Sequence, residues 1–174
     1  ANICSSNPNY TYVPDDNFAQ ALIDFGYDDV IDDYVLTANI SAVTSLDVSD
    51  KEISDLTGIE GFTTLTILSC DNNAITALDV SANPALTSLS CSDNQLTTLD
   101  VSNNTVLTYI SCNNNQLTSL DVSNNTLLEH FSTQNNNITS LDVSNNTALI
   151  EFRCDNNQLT YLNMRNGVTD QLTT

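Results

Sequence analysis

The chain has 174 residues and a formal net charge of −19, from 22 acidic residues against three basic ones, Lys51, Arg153 and Arg165. Because polyanion binding needs lysine and arginine to neutralise phosphates or anionic headgroups, this composition excludes nucleic acid and anionic membrane surfaces as partners. There is no apolar run of about 18 residues and no visible signal peptide at Ala1, so we expect a mature or trimmed product without membrane insertion.

Residues 1–42 contain no repeat and are predicted to form an N-terminal cap. Three apolar residues fall on one face of a helix predicted over about residues 15–25: Phe18, Leu22 and Phe25. Asp15 or Asp16 suits the N-cap of this helix, and Gly26 suits its end. The cap is expected to cover the first repeat.

Residues 43–169 consist of six repeats of 21 or 22 residues. The repeats begin at Val43, Leu65, Leu86, Leu107, Leu128 and Leu149, and share the pattern L-x-x-L-x-C-x-x-N-x-L-x-x-L-x-V. A unit this short cannot bury its own apolar stripe, but stacked units share one core. The pattern therefore predicts a solenoid in which each coil contributes a short parallel strand.

This pattern resembles the leucine-rich-repeat signature, with cysteine in the third core position of four repeats. The resemblance implies an α/β solenoid, a leucine-rich-repeat horseshoe with short parallel strands on the concave face, an irregular convex side and a helical N-terminal cap. The phrases Leu-Asp-Val-Ser-Asn-Asn-Thr and Asn-Gln-Leu-Thr, with the segment from Tyr12 to Phe18, resemble secreted and surface proteins of Bacteroidetes; the resemblance to listerial internalins is more distant. Such relatives imply binding or adhesion outside a bacterial cell, with no catalytic residues to transfer.

One asparagine per coil is predicted to form a structural ladder at the turn that leaves the strand: Asn73, Asn94, Asn115, Asn136 and Asn157. An amide there can satisfy backbone groups of adjacent coils that have no strand partner.

Four cysteines share one inward position of their coils: Cys70, Cys91, Cys112 and Cys154. We interpret them as small buried thiols, because parallel neighbours give a poor disulfide torsion and the spacing does not bring four sulfurs around one zinc ion. Thr133 takes this position in the fifth coil, and Cys4 in the cap has no predictable partner.

Two outward rows leave alternatives open. Asp79, Asp100, Asp121 and Asp142 are interpreted as acceptors for backbone N–H groups of the next turn, and calcium held between carboxylates is the alternative. The pairs Asp28–Asp29 and Asp32–Asp33 raise the same question. A threonine row makes ice an alternative ligand: Thr76, Thr97, Thr118, Thr139 and Thr160.

The candidate binding site lies where concave strand positions depart from the repeat. Early coils show short hydroxyl side chains there, whereas the later coils show Tyr109, Glu129, His130, Gln134, Ile150, Glu151 and Arg153. These departures are also what drift on an unconstrained surface would produce. Glu129, His130 and Glu151 could suggest an acid–base enzyme. This is disfavoured, because an open sheet excludes little water and no nucleophile or set of metal ligands accompanies these three residues.

The leading hypothesis is a non-enzymatic module, secreted or displayed on a bacterial surface, that presents its concave face to a protein partner. One alternative is a carbohydrate-binding module in which Tyr109 and Tyr161 stack on sugar rings; another is a structural spacer in a larger adhesin. Residues 170–174 show no further repeat, so we expect a fragment of a longer protein, or an open end that associates with another copy.

Overall fold

The computed structural model describes residues 9–167 as a cap followed by six coils. The cap contains β1 (Tyr10–Tyr12), α1 (Asp16–Asp24), β2 (Tyr34–Leu36) and a single helical turn, α2 (Thr37–Ile40). Strands β1 and β2 pair as an antiparallel hairpin that the sequence did not predict. The predictions for Cys4 and for residues 170–174 lie outside the described residues.

Eight short strands follow the cap. In chain order they are β3 (Ser45–Asp47), β4 (Ile67–Ser69), β5 (Ser88–Ser90), β6 (Tyr109–Ser111), β7 (His130–Ser132), β8 (Ser140–Asp142), β9 (Glu151–Arg153) and β10 (Tyr161–Asn163). Strands β3, β4, β5, β6, β7 and β9 form one parallel sheet in that order, with one strand from each repeat, which confirms the predicted solenoid. Strands β8 and β10 form a second parallel pair. Within the described repeats the only helix is the 3-10 turn Ile59–Gly61.

The core is one continuous hydrophobic cluster through the cap and the coils. The apolar side chains of the repeat pattern after Val43 are buried through the first five coils, and Phe18 and Leu22 of α1 are fully buried. Phe25, predicted to lie on the same helix face, is not buried with them: α1 ends at Asp24, and the Phe25 side chain is 42% exposed as the C-cap. Leu162 in β10, the last strand of the described chain, is also partly exposed.

The predicted asparagine ladder is present and joins consecutive coils. The Asn115 side-chain oxygen accepts a hydrogen bond from the Leu96 N–H at 2.9 Å. Its Nδ2 donates to the carbonyl oxygens of Cys91 and Cys112, at 3.0 and 3.1 Å. One amide therefore satisfies buried backbone groups of two coils, as expected where no β-ladder pairs them.

A second buried asparagine row escaped the sequence reasoning. It consists of Asn83, Asn104, Asn125 and Asn146, all fully buried. The Nδ2 of Asn104 donates to the carbonyl oxygens of Val80 and Asn83, and the other members repeat this geometry one coil apart. The side-chain oxygens of this row have no hydrogen-bond partner among the described residues.

The cap is fastened to the first coil through Asp15, one of the two predicted N-caps. Its Oδ1 accepts from the N–H groups of Asn17 and Phe18, which caps α1. Its Oδ2 accepts from the N–H and hydroxyl of Ser54 and from the N–H of Asp55, at 2.7 to 3.1 Å. Partial burial raises the pKa of Asp15, but the hydrogen bonds from Ser54, Phe18 and Asp55 outweigh it and hold the pKa below its ordinary value.

We predict that Asn115→Ala lowers the free energy of unfolding by about 3 kcal/mol, because it leaves buried donors and acceptors on two coils without hydrogen-bond partners. The matched control is Asn103→Ala at an exposed position, which should change stability by less than about 0.5 kcal/mol. Chemical denaturation followed by circular dichroism measures both. Equal effects of the two variants would contradict a structural role for the ladder.

Replacing Asp15 should make stability less dependent on pH. Its pKa is lower in the folded chain than in the unfolded chain, so the ionised carboxylate stabilises the fold above the unfolded pKa, and this contribution is lost as pH falls through the folded pKa. Asp15→Asn should cost about 1 to 2 kcal/mol at neutral pH, since the amide retains an oxygen for the helix but loses the charged acceptor for Ser54. The difference from wild type should shrink below about pH 4. Asp16→Asn is the control. A difference in the free energy of unfolding between Asp15→Asn and wild type that does not change with pH would refute the proposed linkage.

Candidate functional site

The register of the main sheet brings the predicted concave residues together. Tyr109 on β6 lies opposite His130 on β7, and His130 lies opposite Glu151 on β9. Arg153 lies opposite Ser132, one position further along the same face. A one-residue slip in any strand would turn its side chains to the other face, so this grouping depends directly on the register of the coils.

Glu151 links the side chains of Arg153 and His130. Its Oε1 lies 2.6 Å from Nη2 of Arg153, and its Oε2 lies 3.3 Å from Nδ1 of His130. The rings of His130 and Tyr109 are tilted, with their centroids 6.3 Å apart. Tyr109, His130, Glu151 and Arg153 therefore form one continuous line across three strands.

The remaining predicted residues flank this line. The backbone N–H groups of Ile150 and Glu151 both donate to the carbonyl oxygen of Glu129, which holds the fifth and sixth coils in register. The Ile150 side chain is 53% exposed. Gln134 is half-buried two residues after β7, and its side-chain oxygen is buried without a hydrogen-bond partner among residues 9–167. We call all seven residues the concave patch: Tyr109, Glu129, His130, Gln134, Ile150, Glu151 and Arg153.

Tyr161 does not join the concave patch. It lies on β10, which pairs only with β8 in the described chain, whereas Tyr109 lies in the six-stranded sheet. The structure therefore does not place the two tyrosines of the carbohydrate alternative on one sheet.

The earlier half of the concave face is occupied by its own hydrogen bonds, which the sequence reasoning did not predict. The Asp71 carboxylate accepts from the hydroxyl of Ser90 and from the N–H of Ser92. The Ser92 hydroxyl in turn bonds to the side chains of Ser111 and Asn113. These small polar groups satisfy one another, while Ile67 on β4 is a large apolar side chain on the earlier strands that stays exposed.

The cysteine row is a stack of free thiols. Cys70, Cys91 and Cys112 are buried, which confirms their predicted position, and Cys154 is half-buried. Burial raises the pKa of Cys70 and Cys91, and raises that of Cys112 to about 12. Burial and the neighbouring Asp155 carboxylate also raise the pKa of Cys154. Protonated, enclosed thiols are inert packing groups rather than nucleophiles.

The aspartate row makes the predicted turn contacts. In each case Oδ1 accepts from the N–H of the serine two residues later, as Asp121 does from Ser123 at 2.9 Å. Hydrogen bonds from the serine hydroxyl and N–H lower the pKa of these aspartates. Within residues 9–167 no three His, Cys, Asp or Glu side chains are grouped closely enough to hold a metal ion, and calcium remains an untested alternative.

Comparisons with known proteins point to one group of bacterial repeat proteins. No family model matches the chain. Internalin J of Listeria monocytogenes is 43% identical over 72 residues, which are 41% of this chain and 8% of that protein. The solved functional domain of InlJ, which includes a cysteine ladder, matches 98% of this chain with 40% identity and a TM-score of 0.85. The chain has an internalin-like leucine-rich-repeat fold.

Two further structures share this fold. An internalin (inlF) from Listeria monocytogenes has a TM-score of 0.75 at 24% identity over 85% of this chain and 45% of its own. A leucine-rich-repeat protein from Leptospira interrogans has a TM-score of 0.67 at 23% identity over 70% of this chain and 33% of its own. The chain spans only 38% of the solved InlJ domain. The predicted resemblance to internalins is confirmed, and the resemblance to Bacteroidetes proteins remains a prediction.

The described part of the chain contains no helix that is both long and apolar enough to cross a membrane.

Thiol alkylation should distinguish the end of the cysteine row from its middle. We expect iodoacetamide to modify Cys154 at least about tenfold faster than Cys70, Cys91 or Cys112, because the buried thiols react only when the coils open. Peptide mass spectrometry after timed quenching gives the four rates, and unfolding in denaturant should equalise them. Uniform rates in the native chain would contradict the buried row.

Proposed function

We propose that this chain is a non-enzymatic binding module, secreted or displayed on a bacterial surface, that presents its concave face to a protein partner. The likeness to internalin J supports the class of module, since concave sheets of solenoids provide extended binding surfaces. The location outside the cell is proposed on the same grounds, because the internalins it resembles are bacterial surface or secreted proteins.

The observation that carries the proposal is the contiguity of the concave patch. Positions scattered over 45 residues of sequence come together on neighbouring strands, in a protein whose other outward rows repeat with little change. The concave patch combines an exposed aliphatic side chain, an aromatic ring, and both signs of charge. Tyrosine and arginine are residue types enriched at the centres of protein interfaces.

The same geometry argues against acid–base catalysis. His130 and Glu151 lie on an open sheet, with side chains 42% and 30% exposed, so water is not excluded from them. Glu151 is also shared with Arg153. A general acid–base pair acts best in an enclosed site beside a bound substrate, and this surface encloses none.

Binding should be lost when the concave patch is truncated. With the chain immobilised and exposed to detergent-solubilised surface proteins, Tyr109→Ala and His130→Ala should each reduce the saturable capture of a protein by about tenfold, a loss typical of central interface residues. Tyr161→Ala is the matched control, because Tyr161 is also exposed but lies on the second sheet. Melting temperatures should stay close to wild type in all three.

Two results would contradict this proposal. Equal capture by wild type and both concave variants would mean that the partner binds elsewhere, or that the residues of the concave patch differ from the repeat only through sequence drift on an unconstrained surface. The absence of any saturable capture would favour a structural spacer within a larger adhesin.

A further inference from the structure

The outward face of the cap hairpin is an aromatic surface. Tyr10 on β1 lies opposite Leu36 on β2, and Tyr12 lies opposite Tyr34. Because side chains alternate along a strand, these four share one face, while the intervening Thr11 and Val35 are buried against the core. Three of the six tyrosines in the chain are thus gathered on a hairpin of two short strands.

Much of this surface is exposed to solvent. The Tyr10 and Tyr12 side chains are 47% and 46% exposed, and Leu36 lies beside them, also partly exposed. The rings of Tyr12 and Tyr34 are tilted at 51° with their centroids 5.4 Å apart. The opposite face already fastens the hairpin, through buried Val35 and the 2.9 Å contact between the hydroxyls of Thr11 and Thr37. A contiguous apolar surface that the core does not use marks a binding surface.

A cavity of about 370 Å³ adjoins the end of this face. Its lining combines Tyr10 and Leu36 with the polar residues Asn9, Thr37 and Ser41, and contains no charged side chain. Ligand sites are typically concavities of this kind, in which apolar walls are joined by a few hydroxyl and amide groups. Neutral donors and acceptors of this type match the hydroxyl groups of a sugar.

The chemistry of this surface selects a ligand class. A tyrosine ring offers an apolar face that can stack on the C–H face of a sugar ring, and its hydroxyl remains available for hydrogen bonding. The net charge of −19 repels acidic glycans, so a neutral one fits best. We infer that the outward face of the cap hairpin, with its adjoining cavity, binds a neutral saccharide chain. This site is separate from the concave patch, and either could function without the other.

Affinity electrophoresis tests the inference directly. The purified chain is run in native gels containing galactomannan, xyloglucan, a mixed-linkage β-glucan or, as the anionic comparison, alginate. At least one neutral polysaccharide should retard the chain, and alginate should not. Tyr10→Ala and Tyr12→Ala should weaken the association constant by about tenfold, the loss expected when a stacked ring is removed. Tyr161→Ala is the matched control that should leave retardation unchanged, because Tyr161 is exposed but lies outside the cap hairpin.

A second substitution separates stacking from hydrophobic contact and from misfolding. Tyr10→Leu keeps an apolar side chain but removes the ring, and it leaves the Tyr12–Tyr34 pair intact. The variant should melt like wild type and lose retardation as Tyr10→Ala does. The inference is overturned if no neutral polysaccharide retards the chain, if the cap variants are retarded as strongly as wild type, or if Tyr10→Leu is retarded as strongly as wild type, which would show that stacking on the Tyr10 ring does not hold the saccharide.

Discussion

The structure depends on how each coil satisfies the buried backbone groups of its neighbours. Hydrophobic rows drive the coils together, but apolar contact is not directional and does not by itself define a register. The side-chain amides of the asparagine ladder define the register. Asn115 bonds Leu96 on one coil while donating to Cys91 and Cys112, so a coil displaced by one position would leave several buried polar groups unpaired. A second amide row, which includes Asn104, repeats this constraint elsewhere on each coil.

A fixed register turns sequence periodicity into surface geometry. Residues 21 positions apart become neighbours on adjacent strands, so an identical residue in each repeat becomes a uniform row, and a departure from the repeat becomes a local feature. His130 and Glu151 are 21 residues apart and in contact. The concave patch is therefore positioned by hydrogen bonds along the coils, both its own and those of the asparagine ladder.

Periodic features were predictable from the sequence because each repeat states the same pattern again. This is how the sequence predicted the leucine positions, the asparagine ladder, the aspartate turns and the outward positions of the concave strands. The row of Asn104 was missed because Asn-Asn-Thr resembles an exposed turn, although its invariance and its spacing from buried Val101 carried the signal. The exposure of Phe25 was not predicted, because a helical pattern does not specify the last residue of a helix.

The features that were not predicted are non-local or occur once. Strands β1 and β2 are three residues long, and Tyr10 pairs with Leu36 across an intervening helix, so no local alternation revealed the hairpin. The separation of Tyr109 from Tyr161 depends on a second sheet, which the repeat pattern does not distinguish from an irregular loop. The Asp71 network likewise arises from single residues that break the repeat.

Native-state hydrogen exchange of the Leu117 amide tests the central claim most directly. This N–H lies outside the strands and donates to the side-chain oxygen of Asn136, at 3.0 Å. If the amide ladder fixes the stacking of the coils, the Leu117 amide should exchange only in global unfolding, with the same opening free energy as the strand amide of Ile110. Exchange at the rate of an exposed turn amide, while Ile110 stays protected, would contradict the account.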